Sequence, residues 1–177
     1  MLFRILLYND ISIHHIKYNS DSHRDRNFDC TQFDYNGFDY ILAIPPRSIK
    51  STNSEYETAE LDHLARSSEH VKHKSVGVYP SSICFSRHSK KIVKKLLEND
   101  WIEKVILLPE NLSSYAGTET VIIVVNKDKS RKGEVCFVDA TKCFIRDKDL
   151  NILYIDKVFD KLTIEDGDVN WVSSHEM

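Results

Sequence analysis

Phe38-Asp39-Tyr40-Ile41-Leu42-Ala43-Ile44-Pro45-Pro46-Arg47 is the stretch that decides how this chain folds. From Tyr40 to Ile44 apolar and aromatic residues follow one another without alternation, the pattern of a strand buried on both faces of a parallel sheet. The two prolines end it. Neither can donate a ladder hydrogen bond, and Pro45 pushes Ile44 towards an extended conformation, so the chain leaves the sheet at its carboxyl edge. In open α/β sheets that edge is where ligands bind.

Outward from this strand the chain repeats the device. Val76-Gly77-Val78-Tyr79-Pro80 is a second β run closed by proline, and residues 102–108 form a third, ended by Pro109. Between the first and second, helical spacing appears at Tyr56, Leu61, Leu64, Ala65 and Val71. Between the second and third, Ser86 is placed to cap a helix over residues 87–99. In that helix Ile92, Val93, Leu96 and Leu97 make an apolar stripe opposite Lys90, Lys91, Lys94 and Lys95. Strands separated by helical patterns indicate βαβ units with right-handed crossovers. Residues 121–126 are apolar enough to be interior. After a charged turn over residues 127–133, residues 134–138 are expected to pair back as an antiparallel hairpin. The tail is helical from residue 156 and then acidic. Upstream, residues 2–8 read as a buried helix, residues 11–17 as a weak strand and residues 19–27 as a solvated loop. The expected fold is α/β: a partial Rossmann-like sheet, mostly parallel, with a C-terminal antiparallel hairpin and helices on both faces. It forms one domain, residues 1–155 giving sheet and helices and residues 156–177 a C-terminal helix and acidic tail.

Composition excludes several classes. A chain of 177 residues is long enough to bury roughly two-thirds of its unfolded surface. Its net charge of −3 is not that of a protein that grips nucleic acid by bulk electrostatics. No apolar run approaches a membrane span, and the N-terminus turns polar too soon for a secretory signal, so a cytoplasmic protein with no membrane partner is expected. Cys30, Cys84, Cys136 and Cys143 lack Cys-x-x-Cys spacing and read as reduced core thiols. His63, His70 and His73 fall near one side of a helix with Asp62 and Glu69, but their context reads as polar surface and no metal is expected. Ser86-Arg87-His88 is not a nucleophile elbow, because no glycine brackets the serine.

A strand followed by Pro-Pro resembles the Asn/Asp-Pro-Pro-aromatic motif of amino-methylating DNA methyltransferases. The surrounding text is similar to the modification subunit of type I restriction-modification systems, the adenine N-6 DNA methylases. The similarity extends in order along the chain. It takes in residues 2–16, then Val76-Gly77-Val78-Tyr79-Pro80-Ser81-Ser82-Ile83-Cys84-Phe85, then residues 92–120 with Leu107-Leu108-Pro109-Glu110-Asn111-Leu112 and Gly117-Thr118, then residues 121–127, and finally Val135-Cys136-Phe137-Val138-Asp139-Ala140.

The resemblance implies a site-specific DNA adenine N6-methyltransferase subunit that uses S-adenosylmethionine and works with DNA and with specificity or restriction subunits. Ile44, Pro45, Pro46 and Arg47 would be the remnant catalytic motif, and Arg87, Lys90, Lys91 and Lys94 are the candidate DNA contacts. Two departures limit the activity to be expected. Where the family has Asn to accept the adenine amino group, Ile44 offers no acceptor, and a polar base edge left unpaired in a pocket costs about 1–3 kcal/mol per group. Arg47 replaces the aromatic residue, although a guanidinium also stacks on a flipped base. The family's S-adenosylmethionine turn, Asp/Glu-Pro-x-x-Gly-x-Gly, has no counterpart in the sequence, so this chain alone is expected to lack the cofactor's cradle and to be inactive by itself. An alternative is a non-catalytic interaction module that binds a methylase or specificity subunit. Without the family's first strands, residues 38–44 would become an apolar edge, to be closed by residues 11–17 or by a second chain, whether a copy of this one or another partner. Asp139, a strand-end acid, is expected to be structural.

Overall fold

The computed structural model describes residues 35–45, 47, 49–53, 55–112, 119–147, 150–164 and 169–174. The expected helix at residues 2–8, the strand at 11–17, the loop at 19–27 and Cys30 lie outside the described residues, as does any closure of the first strand by residues 11–17.

The described elements run β1 (Tyr40–Ala43), α1 (Ala59–His70), β2 (Lys74–Pro80), a 3-10 turn (Ser81–Cys84) and α2 (Lys90–Glu98). They continue with β3 (Ile102–Leu107), β4 (Thr120–Asn126), β5 (Glu134–Asp139), β6 (Phe144–Asp147), β7 (Leu150–Leu153), α3 (Ile155–Ile164) and β8 (Val169–Ser173). Six strands form one sheet in the order β1-β2-β4-β3-β5-β8, and β6 and β7 form a separate two-stranded ribbon. β1 is parallel to β2 and β3 to β5, while β4 is antiparallel to both its neighbours and β8 to β5. β1, β2, β3 and β5 therefore all point the same way, against β4 and β8. Their carboxyl ends share one rim.

β4 is the centre of the structure. All seven of its residues, Thr-Val-Ile-Ile-Val-Val-Asn, are buried, because the sheet is covered on both faces and β-branched side chains suit a pleated interior. Val121, Ile123 and Val125 pack with Leu61, Leu64 and Ala65 of α1 and with Ile92 and Leu96 of α2. Ile122 and Val124 face the other way, into a second cluster that includes Cys136, Val138 and Val158 of α3. The α/β layering expected from the sequence is thus present, with helices on both faces.

Several expectations need correcting. β1 is not buried on both faces. It has four residues, none fully buried, with Tyr40 44% exposed, and among the described residues it pairs on one side only, with β2. Nor do β4 and β5 form a hairpin, since β3 lies between them. A two-residue turn forces a hairpin, but the seven residues 127–133 are long enough to pass beneath the start of β3. Lys129 ties that crossing down, its Nζ donating to Ile102 O at 3.0 Å and Glu134 O at 2.8 Å. The acidic tail contains β8, whose Val169 and Trp171 pack against the second core cluster. α2 starts at Lys90 rather than Arg87, because Ser86 Oγ accepts the Ser89 N–H at 3.1 Å and holds residues 86–89 as a separate turn. Cys136 and Cys143 are buried, but Cys84 at the end of the 3-10 turn is exposed.

Gly77 is in the middle of β2 because the ring of fully buried Tyr79 occupies the space that a Cβ would need. Gly77→Ala is expected to lower stability by about 1–3 kcal/mol, the usual cost of overpacking a well-filled core. Urea denaturation followed by circular dichroism measures it, and an unchanged midpoint would show that Tyr79 moves aside freely.

Candidate functional site

The carboxyl rim is where the sheet offers a surface to a ligand. β1 delivers Ile44, 63% exposed, and Pro45, which is buried; Pro46 lies outside the described residues. Arg47 is half-buried. The polar segment that follows is tied back by hydrogen bonds. Ala59 N–H donates to Ile49 O at 2.8 Å, Ser51 N–H to Glu57 O at 3.2 Å, and Asn53 N–H to Ser51 Oγ at 3.0 Å, so the chain folds back on itself before entering α1.

β2 ends on the same rim and continues through the 3-10 turn into Phe85, Ser86, Arg87 and then α2. Of the candidate phosphate contacts, Arg87 and Lys90 are on this rim. Lys91 and Lys94 continue along the exposed face of α2 and are already paired, Lys91 with Glu55 at 3.7 Å and Lys94 with Glu98 at 3.7 Å. Lys95 is likewise held by Glu69 at 2.5 Å. Sequence reading overlooked Phe85, 77% exposed on this loop. Its signal was an aromatic ring among serines, arginine and histidine.

β5 brings Asp139 to the rim. Its Oδ1 accepts from Thr141 N–H at 2.9 Å and from Thr141 Oγ1 at 2.6 Å, and these bonds hold the carboxyl below the usual carboxylate range. That is a turn-forming role, as expected from the sequence.

The three histidines do not converge. His70 Nδ1 is 2.8 Å from Asn36 Oδ1, and His73 Nδ1 is 2.6 Å from Asp128 Oδ2. His63 is in the core, 6% exposed and sharing a 2.9 Å hydrogen bond with Tyr79 Oη, while Asp62 beside it is fully buried. The reading as polar surface is therefore corrected for His63 and Asp62, while His70 and His73 are exposed.

Two requirements of S-adenosylmethionine chemistry can be tested on these residues. A glycine turn leading from a strand into a helix would present amides to the cofactor's methionine half. The described glycines sit elsewhere: Gly37 precedes β1, Gly77 is inside β2 and Gly133 precedes β5. A side-chain acceptor for an exocyclic amine is also needed, and the Ile44 side chain has none to give. The described residues do not fit the cofactor. No described helix is long and apolar enough to cross a membrane.

Comparison with known proteins gives a consistent picture. The family model described as N-6 DNA methylase matches residues 4–174. The chain is 27% identical over 165 residues to the type I restriction enzyme MpnII methylase subunit of Mycoplasma pneumoniae, covering 80% of this chain and 30% of that protein. Its fold superposes on the type I restriction-modification methyltransferase subunit of Streptococcus thermophilus with a TM-score of 0.71 and 25% identity, over 97% of this chain and 41% of the other. A class I S-adenosylmethionine-dependent methyltransferase from Listeria monocytogenes shares the fold at a TM-score of 0.50 and 16% identity, over 72% of this chain and 42% of that one. The chain thus spans less than half the length of each of these relatives.

Proposed function

Because the chain belongs to the N-6 DNA methylase family, we propose that it provides the target-base side of an adenine N6 DNA methylase of the type I restriction-modification kind and does not complete methyl transfer by itself. The observation that carries this reading is the rim of β1. It presents Ile44, 63% exposed, where the family's chemistry requires a hydrogen-bond acceptor. An N6 amino group attacks through its lone pair only when its hydrogens are drawn aside by acceptors. The isoleucine side chain carries only carbon and hydrogen, which leaves the Pro45 carbonyl to draw one hydrogen at most. Arg47 supplies donors and a flat cation, suited to lying against a base or pairing with a phosphate. The rim is thus equipped to hold a base better than to activate it.

The cofactor half would come from a separate polypeptide, and DNA and the specificity or restriction subunits would be the partners of the assembled complex. Isothermal titration of the 177-residue chain with S-adenosylmethionine tests this. No heat of binding is expected from the chain alone, and binding should appear when a methylase polypeptide carrying the glycine turn is added. Saturable binding to the chain alone would overturn the proposal.

A second reading, a non-catalytic docking module, is favoured by the apolar exposure at the end of β1, where Ile44 and Ile49 are both more than half exposed. Co-elution with a purified specificity subunit, without any cofactor binding in the assembly, would select it.

A further inference from the structure

We propose that Phe85, Arg87 and Lys90 form a built contact for an unpaired DNA base and its flanking phosphates; this deepens the DNA-methylase reading and rests on it. Phe85 is the most exposed of the large apolar residues described, at 77%, and its backbone is held by hydrogen bonds. Its N–H donates to Ser82 O at 3.2 Å, the next N–H, of Ser86, to the same carbonyl at 2.8 Å, and Ser89 Oγ to Ser86 O at 3.0 Å. Because the loop backbone beneath the ring is already ordered, a base that stacks on it does not have to order the loop, which is how preorganised contacts gain affinity.

Charge distribution supplies the second observation. His88 Nδ1 is 2.8 Å from Glu57 Oε2, and Lys91, Lys94 and Lys95 each have a carboxylate partner. Arg87 and Lys90 are exposed and, among the described residues, make no ion pair. Positive charge is therefore uncompensated beside Phe85 and neutralised farther along α2. An exposed aromatic ring on a loop that also carries two available cations matches a base and its phosphates. An apolar protein partner would use the ring but would gain nothing from the cations. The loop shares its rim with Ile44 and Arg47, since β1 and β2 run parallel with Ala43 opposite Gly77.

Fluorescence anisotropy of the full chain with a fluorescein-labelled single-stranded oligodeoxynucleotide tests the assignment. Phe85→Ala is expected to weaken binding about tenfold, the effect of losing one base–aromatic stack, without changing the salt dependence. Phe85→Trp should stay within about twofold of the unaltered chain, because indole also stacks. Arg87→Ala and Lys90→Ala should each flatten the plot of log affinity against log salt by about 0.7. Lys132→Ala, on the opposite rim, should change nothing.

Binding by Phe85→Ala equal to that of the unaltered chain overturns this inference alone. No binding by the unaltered chain overturns both it and the DNA reading. Unchanged DNA binding together with lost co-elution with a specificity subunit would make Phe85 a protein contact, and would also overturn the inference.

Discussion

Lys129→Met is expected to cost about 3 kcal/mol of folding stability, towards the low end for breaking a buried ion pair. The Lys129 side chain is 1% exposed, and its ammonium meets Asp100 Oδ1 at 2.5 Å and the carbonyls of Ile102 and Glu134 at 3.0 and 2.8 Å. Methionine fills similar volume but leaves those acceptors without their donor. Asp100 is itself a fixed point, in the left-handed region at φ 58° with both carboxylate oxygens 3.0 Å from the Gly133 N–H. Burial pushes its carboxyl up, but the hydrogen bonds from Lys129 and Gly133 outweigh that and hold it below the usual range. Because the Asp100 side chain is 25% exposed, water screens part of the orphaned charge, which keeps the expected loss from reaching the top of the range. Asp100→Asn combined with Lys129→Met removes that charge, tolerates the left-handed backbone and should recover about 1 kcal/mol. Guanidinium denaturation of the three proteins decides it. A single variant within about 0.5 kcal/mol of the unaltered chain would mean the staple contributes nothing.

That staple also explains which parts of the fold the sequence could reveal. Strands whose burial and termination are local were legible. The apolar run at residues 121–126 and the prolines at 80 and 109 mark β4, β2 and β3 to within a residue or two. Strand order was not legible, because it depends on a crossing that the turn over residues 127–133 permits without announcing. Its lysines read as solvated charge, yet Lys129 is buried and Lys127 Nζ donates to Glu69 O at 2.8 Å and Val71 O at 2.6 Å, closing the end of α1. β8 was hidden because Val169-Asn170-Trp171-Val172-Ser173 alternates too briefly to stand out from an acidic tail, and β5 supplies its pairing. At the rim, the proline at 45 marked the end of β1, which stops at Ala43. Phe85 escaped because a single aromatic in a polar loop carries no periodicity, and only coordinates show whether its ring is tucked in or left out.

Between pH 6.5 and pH 4 the protein is expected to lose about 3 kcal/mol of stability through one buried group, His63. Burial, with a smaller contribution from the nearby Arg66 cation, pushes the imidazole down to about 4. Tyr79 of β2 shares its Nδ1 hydrogen bond, Tyr35 packs edge-on at 5.5 Å between centroids, and Arg66 lies over the Tyr35 ring at 4.9 Å. None of these supplies the negative charge that would offset a buried imidazolium. Above pH 6.5 the imidazole is neutral in folded and unfolded chains and contributes no pH dependence. As pH falls below 6.5 the unfolded chain takes up a proton that the folded one refuses, so the unfolded state gains; near pH 4 the folded state protonates too and the loss saturates. The carboxyls of Asp39, Asp100 and Asp139 are lowered below 3.8 when folded, so the stability they contribute is lost only at more acid pH. The two regimes are therefore separable. Urea midpoints at intervals from pH 7.5 to pH 4 should slope downwards through the upper window, and His63→Gln, which cannot titrate, should flatten that slope even if its stability at pH 7.5 is lower. A slope unchanged by the substitution would show that His63 is not its source.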